Sequence, residues 1–340
     1  MSEPKPAPST RLKEIRRFGL RAIISVALIA LMLWAYDWRA IIGKLAHLTP
    51  AFVLFAWVYY AICQWISAYR WRVLLRAKGM DVPTARLFVF YMVGMFANNF
   101  LPGGLGGDAV KAYGLYRREG SANIAVASVF VERFCGILAL SVLGAVAAAA
   151  MLLAGQPPLV PLLVLGFVLL LAAAAAMVWS VPLARLLRVL LAALAPRVIR
   201  DRAIQLVETV HSYREDWRVL LRALAISVLL QGMIALFYSL VGRALGTPVP
   251  TLYFLLFLPI ITMVTLLPIS LGGLGVREIA MVYLFATVGV SSEDMLSISL
   301  TAHILNTALS LSGGLMLLAS RVRWAPRGKG LARLERKLGR

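Results

Sequence analysis

The chain has 340 residues, is 61% hydrophobic and carries a formal charge of +20 at pH 7, whereas an ordinary soluble domain is roughly 45–50% apolar. That excess excludes a soluble enzyme or a string of soluble domains, because long apolar runs recur from residue 18 to residue 319 with no polar stretch long enough to fold alone. The positive charge lies in the connections and tails between those runs, so it reads as membrane topology and attraction to anionic lipid, not as a nucleic-acid surface.

In chain order, a basic cytoplasmic tail (1–17) precedes a single membrane domain (18–320), and a second basic cytoplasmic tail (321–340) follows it. A helix needs about 20 apolar residues to cross a hydrocarbon core. The runs 18–36, 50–69, 121–154, 158–181, 219–242 and 295–319 meet that length or come close to it, and are predicted spans. The first has basic residues before it but no small-x-small cleavage site after it, so it reads as a retained helix. Cys63 and Cys135 fall inside apolar runs and offer no disulfide framework. The connection 182–218 alternates Leu and Arg at near-helical spacing and is expected along the cytoplasmic interface, with Glu208 and His211 as surface residues.

Lys and Arg set the orientation. Residues 1–21 hold six, 70–86 five, 182–218 seven and 321–340 eight, while the opposite connections hold only Arg39, Lys44 and Arg243. Both termini are therefore expected in the cytoplasm. Two further apolar segments, 86–118 and 250–290, are broken in the middle by Leu-Pro and glycine clusters. The chain is cytoplasmic at Arg86 and must be so again before Ser121. The 16 residues from Arg86 to Leu101 make only about 24 Å of helix, so a re-entrant hairpin is predicted. The second broken segment starts and ends on the outside by the same logic, with its outer exit at 291–294.

The resulting order is span, span, broken hairpin, span, then the same again from the opposite side. The predicted fold is an all-α polytopic membrane protein built as an inverted repeat, with repeat 1 at about 18–154 and repeat 2 at about 158–320. Each half holds three full spans and one hairpin. The breaks match: Pro102, Gly103, Gly104 and Gly106 in the first, Pro268, Gly272, Gly273 and Gly275 in the second. The alternative is eight full spans with both motifs in loops at the membrane surface.

Discontinuous helices meeting near the midplane are how many transporters build their binding sites, and non-helical backbone at that depth needs protein or a water-lined cavity around it. Half-helices starting near Gly106 and Gly275 would turn free N–H groups toward such a cavity. The ionisable residues nearby are Asp108, Lys111, Glu132, Arg133, Arg277 and Glu278. Asp108 and Lys111, three apart, share a helix face, while adjacent Glu132 and Arg133 diverge. The expected pairs are Asp108 with Arg133 and Lys111 with Glu132, with Arg277 and Glu278 as the second hairpin's counterparts. Asn98, Asn99, His303 and Asn306 complete the candidate lining. Two readings stay open for the charged set: a substrate pathway, or pairing that only holds the hairpins together. Asp108, Glu132 and Glu278 are also candidates for proton coupling.

No metal-ligand spacing, Walker sequence or dinucleotide fingerprint is present, so no catalytic residue, cofactor or metal is expected. Asp37, between aromatic residues after the first span, reads as an interfacial residue and less well as the acid of a lipid-linked glycosyltransferase.

The stretches "NNFLPGGLGGDAVKAY", "SVFVERFCGILAL" and "LPISLGGLGVREIAMVY", in this order and spacing, resemble the lysylphosphatidylglycerol synthase transmembrane-region family of flippase-like integral membrane proteins. The likeness runs from about residue 15 to 320. In bifunctional members a soluble aminoacyl-transfer domain follows, and the membrane part moves the aminoacylated lipid between leaflets. Here only a basic tail follows, so the resemblance implies a stand-alone member in a bacterial inner membrane that translocates a lipid it does not synthesise. It implies a transporter, not an enzyme, without choosing the cargo; the half-helix N-termini favour a phosphate-bearing lipid as substrate, the basic tails favour anionic lipid, and an envelope-lipid biosynthetic enzyme is an expected partner. The rival readings are a glycosyl or phosphoryl transferase acting on lipid-linked substrates, and a non-catalytic partner of a lipid synthase.

Overall fold

The computed structural model describes residues 48–101, 106–194, 197–267, 269–270 and 272–319, together with residues 23, 43 and 44. The first expected span, Asp37, both basic tails, and the break residues Pro102, Gly103, Gly104 and Pro268 lie outside the described residues.

Helix α1 (Pro50–Ala77) begins where the Thr49 side chain accepts a hydrogen bond from Phe52 N, with Pro at the first helical position. The first broken segment gives α2 (Thr84–Asn98) and α3 (Gly106–Glu119), and α4 (Ala122–Leu153) follows with Ser121 as its N-cap. Helix α5 (Leu159–Val178) leads into two amphipathic helices, α6 (Val181–Leu194) and α7 (Arg197–Ser212). Then come α8 (Trp217–Ala244), the second broken segment as α9 (Thr251–Leu266) and α10 (Val276–Ala286), and α11 (Ser292–Ala319). The chain is an all-α polytopic membrane protein. Helices α1, α4, α8 and α11 are long and apolar enough to cross a membrane, and the 20 apolar residues of α5 add about 30 Å.

The halves of each hairpin pack on one another, α2 on α3 and α9 on α10. With 15 and 16 residues, α2 and α9 are about 22–24 Å long, too short for a full crossing. Contacts repeat between the halves. α2 packs on α1 as α9 packs on α8, α3 on α4 as α10 on α11, and each hairpin's first helix crosses to the other repeat, α2 to α11 and α9 to α4. Both crossings use a glycine. A Cβ at Gly313 of α11 would run into the Met92 backbone of α2, and one at Gly144 of α4 would lie 2.9 Å from Pro259 Cγ of α9.

The two breaks meet, and that decides between re-entry and surface loops. Loops on opposite membrane faces would be separated by a roughly 30 Å hydrocarbon core, yet a Cβ on Gly272 would sit 3.0 Å from the carbonyl oxygen of Asn98, the last residue of α2. Gly272 also holds a positive φ of 57°, which a side chain disfavours. Gly272→Ala is expected to lower stability by more than the roughly 1–2 kcal/mol of a left-handed conformation alone. Gly246→Ala, also at positive φ but with nothing within 4 Å of the new Cβ, isolates that backbone cost. Equal losses in thermal unfolding of the two variants would mean that the breaks do not touch.

Contacts between connections agree with the sidedness read from charge. Lys78, after α1, pairs at 2.8 Å with Asp216, just before α8, and Lys44 pairs with Asp294 at the start of α11. Arg72 and Arg76 close on Asp81, and their guanidiniums hold its carboxyl at about 2. Arg70, Arg72 and Arg76 all lie in the last turns of α1, and of them Arg70 alone is buried. His211 departs from its expectation as a plain surface residue. Its Nε2 stands 3.2 Å from the Ser180 carbonyl, and burial, then Arg188 and Arg214, push its pKa below the ordinary imidazole value.

Aromatic packing fixes the hairpins. Phe285 of α10 lies 4.8 Å and 5.1 Å, centroid to centroid, from Phe254 and Phe257 of α9. In the other half, buried Trp71, Tyr91 and Leu115 tie α1, α2 and α3 together.

Candidate functional site

Where the first hairpin meets α1 and α4, five ionised side chains form a continuous chain. Arg70 donates from Nη1 to Ser227 Oγ at 2.6 Å and from Nη2 to Glu132 Oε1 at 2.7 Å. The other oxygen of Glu132 accepts from Lys111 Nζ at 3.4 Å. Lys111 also stands 3.0 Å from Asp108 Oδ1, and Asp108 Oδ2 accepts from Arg133 Nε at 2.8 Å. The signs alternate along the chain: cation, anion, cation, anion, cation. Glu132 is only 2% exposed, Lys111 7% and Arg70 8%, so each charge depends on its neighbours to offset desolvation. The Lys111 ammonium further sits 3.9 Å from the Tyr91 ring centroid.

Local structure explains the placement. Asp108 and Lys111 are one turn apart on α3, and Glu132 and Arg133 diverge around α4, as the spacing requires, so Glu132 reaches inward to α1 while Arg133 reaches α3. Both expected pairs are present. Arg70 is the member that sequence reasoning misses, because it falls among the basic residues of the 70–86 connection, of which Arg72 and Arg76 turn to the exposed Asp81. A signal was available: Cys63, Ser67, Arg70 and Leu74 fall at helical spacing, and all of them except Ser67 are buried.

A polar cavity of about 230 Å³ opens against this chain, bounded by Arg70, Asn98, Asp108, Lys111, Glu132 and Arg133. A second cavity of the same volume lies between the two breaks, bounded by Asn99, Gly272, Arg277, His303 and Asn306. They share Met95, Asn98, Arg133 and Thr262 as a common wall. An apolar groove of about 460 Å³ between α3 and α4 also ends on Asp108 and Arg133. The Asp108–Arg133 pair thus stands where the first cavity meets the groove, and Arg133 borders the second cavity as well.

Two expectations need correction. At each half-helix start an N–H group is already engaged: Gly107 N donates to Asn98 Oδ1 at 2.6 Å, and Gly275 N donates to the Glu278 carboxylate at 2.6 Å. These amides are not open to an anion. Glu278 is a cap, not a counterpart of the first hairpin's charges; its other oxygen takes the Ser299 hydroxyl, and it borders neither cavity. Asn99 lines the second cavity but commits its amide to Ser310 of α11 at 2.6 Å, a helix-to-helix bond. Asn98, Asp108, Lys111, Glu132, Arg133, Arg277 and Asn306 are all brought to the paired cavities. Gly273 and Gly275 carry the turn into α10 at positive φ, and Gly106 begins α3. Among the described residues no cluster of His, Cys, Asp and Glu has metal-binding geometry.

Comparison with known proteins agrees with the architecture. The family described as lysylphosphatidylglycerol synthase TM region matches residues 20–314. The chain belongs to that family. Among curated proteins it is 24% identical over 324 residues to a UPF0104 membrane protein of Pyrococcus horikoshii, covering 89% of this chain and 97% of that protein. It is 26% identical over 307 residues to a UPF0104 membrane protein of Methanothermobacter thermautotrophicus, covering 85% and 89%. These relatives are archaeal, so family membership fixes a multi-pass membrane protein without fixing a bacterial setting.

Proposed function

We propose that this member of the family moves an amphipathic lipid with a phosphate-bearing headgroup between the leaflets of the cytoplasmic membrane. The headgroup crosses through the paired cavities, and the tail stays in the apolar groove and the surrounding lipid. One observation carries the reading: a chain of five charges, three of them buried, borders an open cavity, and its outermost pair also borders a groove whose wall is apolar. A cluster that served packing alone would have no use for that junction. Gly272, in the second break, borders the second cavity, the kind of surrounding in which non-helical backbone is tolerated at this depth. Both termini are cytoplasmic in this reading, the basic tails rest on anionic lipid, and the protein acts as a transporter alongside enzymes that make its lipid.

The test is leaflet exchange of labelled lipids in reconstituted vesicles. Asp108→Asn leaves Arg133 and Lys111 without their shared carboxylate, and Arg133→Ala opens the common wall. Losing hydrogen bonds to charged groups costs about 1.5–3 kcal/mol each, so exchange is expected to slow by about tenfold or more in either variant. Exchange no faster than in protein-free vesicles across phosphatidylglycerol, phosphatidylethanolamine and polyprenyl phosphate would end the transport reading.

A further inference from the structure

The second cavity differs electrically from the first. In the first, Arg70, Lys111 and Arg133 are held by Asp108 and Glu132, so its cations are already engaged. In the second, the guanidinium of Arg277 meets no carboxylate in an ion pair among the described residues. It donates from Nη2 to the Gly272 carbonyl at 3.1 Å and from Nη1 to His303 Nδ1 at 3.1 Å. Arginine has no acceptor, so His303 accepts on Nδ1 and is neutral, with its proton on Nε2. The nearest acid in sequence, Glu278, is turned to the cap of α10 and the Ser299 hydroxyl. Among the described residues no carboxylate borders the cavity, whose ionisable groups are Tyr60, Arg133, Arg277 and His303. Asn306, on the same wall, has a buried Oδ1 with no hydrogen-bond partner.

A cation inside a membrane protein is costly without a counter-charge, and an unmatched guanidinium facing a polar cavity is a receptor for a planar or tetrahedral oxyanion. We propose that the Arg277–His303–Asn306 cavity seats the phosphate, carried on a lipid headgroup or free, and that the Arg70-to-Arg133 chain is the wall beside it and not the seat. This rests on the transport reading for its biological meaning but not for its chemistry. The cavity's 230 Å³ is many times the roughly 10–15 Å³ that one water requires, so a phosphate fits with water around it.

Binding to the full chain in a neutral maltoside detergent tests the proposal. The probes are dihexanoyl phosphatidylglycerol, dioctanoylglycerol as the phosphate-free control, and inorganic phosphate. The wild type should bind the phospholipid or inorganic phosphate, with affinity that falls as salt rises, and should bind the diacylglycerol more weakly. Arg277→Gln should weaken anion binding by about tenfold or more, while Arg277→Lys keeps part of it. Asn306→Asp, which places a carboxylate in the same cavity, should weaken it without touching Arg277, so the result stands even if Arg277→Gln fails to fold. Inorganic phosphate binding as tightly as the phospholipid would identify free phosphate as sufficient; tighter phospholipid binding would identify the headgroup. Unchanged anion binding in folded Arg277→Gln and in Asn306→Asp, or wild-type affinity no greater for the anions than for dioctanoylglycerol, would overturn the seat. Leaflet exchange run in parallel separates the two ideas. Lost binding in Arg277→Gln with no wild-type exchange keeps the seat and removes transport, and unchanged binding with robust exchange does the reverse.

Discussion

Arg70→Met should destabilise the protein by about 3–5 kcal/mol, the cost of removing one partner from a buried ion pair. The substitution leaves Glu132 Oε1 without its 2.7 Å donor, and only the longer Lys111 contact remains on the other oxygen. Ser227 loses a donor but keeps its own bond to the Ala223 carbonyl, so most of the loss falls on the stranded carboxylate. The double variant Arg70→Met/Glu132→Met should recover much of the stability, because Lys111 still has Asp108 and no unpaired charge is left behind. Arg76→Met, whose partner Asp81 lies in an exposed connection, should leave the unfolding midpoint where it was. Midpoints from unfolding in mixed micelles would decide the matter. If Arg70→Met matched Arg76→Met, the five-charge chain would not exist in the bilayer.

The second large effect is expected at a glycine. Helices α2 and α3 cross so closely that a Cβ on Gly107 would lie 2.7 Å from Asn98 Nδ2 and 2.8 Å from the Gly94 carbonyl carbon, while one on Gly94 would lie 2.9 Å from Gly107 O. The obstructing atoms are largely backbone, which cannot swing aside. Gly107→Ala should therefore cost about 1–3 kcal/mol through overpacking and should move Asp108 away from Arg133, slowing leaflet exchange as well. Gly166→Ala gives the opposite sign. That residue is in the interior of α5 with nothing within 4 Å of the new Cβ, so the change should add about 0.5–1 kcal/mol through helix propensity. Thermal unfolding of the two variants compares them directly, and a shared sign would refute the close crossing.

Much of this architecture was legible because hydropathy and charge act locally. The apolar runs located α4, α5, α8 and α11 within about three residues and the start of α1, which continues to Ala77, past its expected end at residue 69, and the two Pro-Gly clusters located the breaks. The helical spacing of Asp108 with Lys111, and the divergence of Glu132 from Arg133, were enough to anticipate both ion pairs. What sequence reasoning misplaced was set by rotation and reach. Arg70 falls among the basic residues of the 70–86 connection, yet it meets Glu132 across 62 residues and Ser227 across 157. Glu278 was grouped with Arg277 because they are adjacent, yet it folds back one turn to cap its own helix.

The sequence alone determined that this protein lives in the membrane, where its helices break and which connections share a side. Each of these follows from free energies that sum along the chain: apolar transfer, backbone strain at glycine and proline, and the cost of moving a positive charge across the bilayer. Only the tertiary structure decided that the two breaks touch, that the cations of one cavity are each paired with a carboxylate and that the other leaves Arg277 facing open space. Those outcomes depend on the rotational phase of each helix and on distances of a few ångströms between segments far apart in the chain, where no local sum reaches.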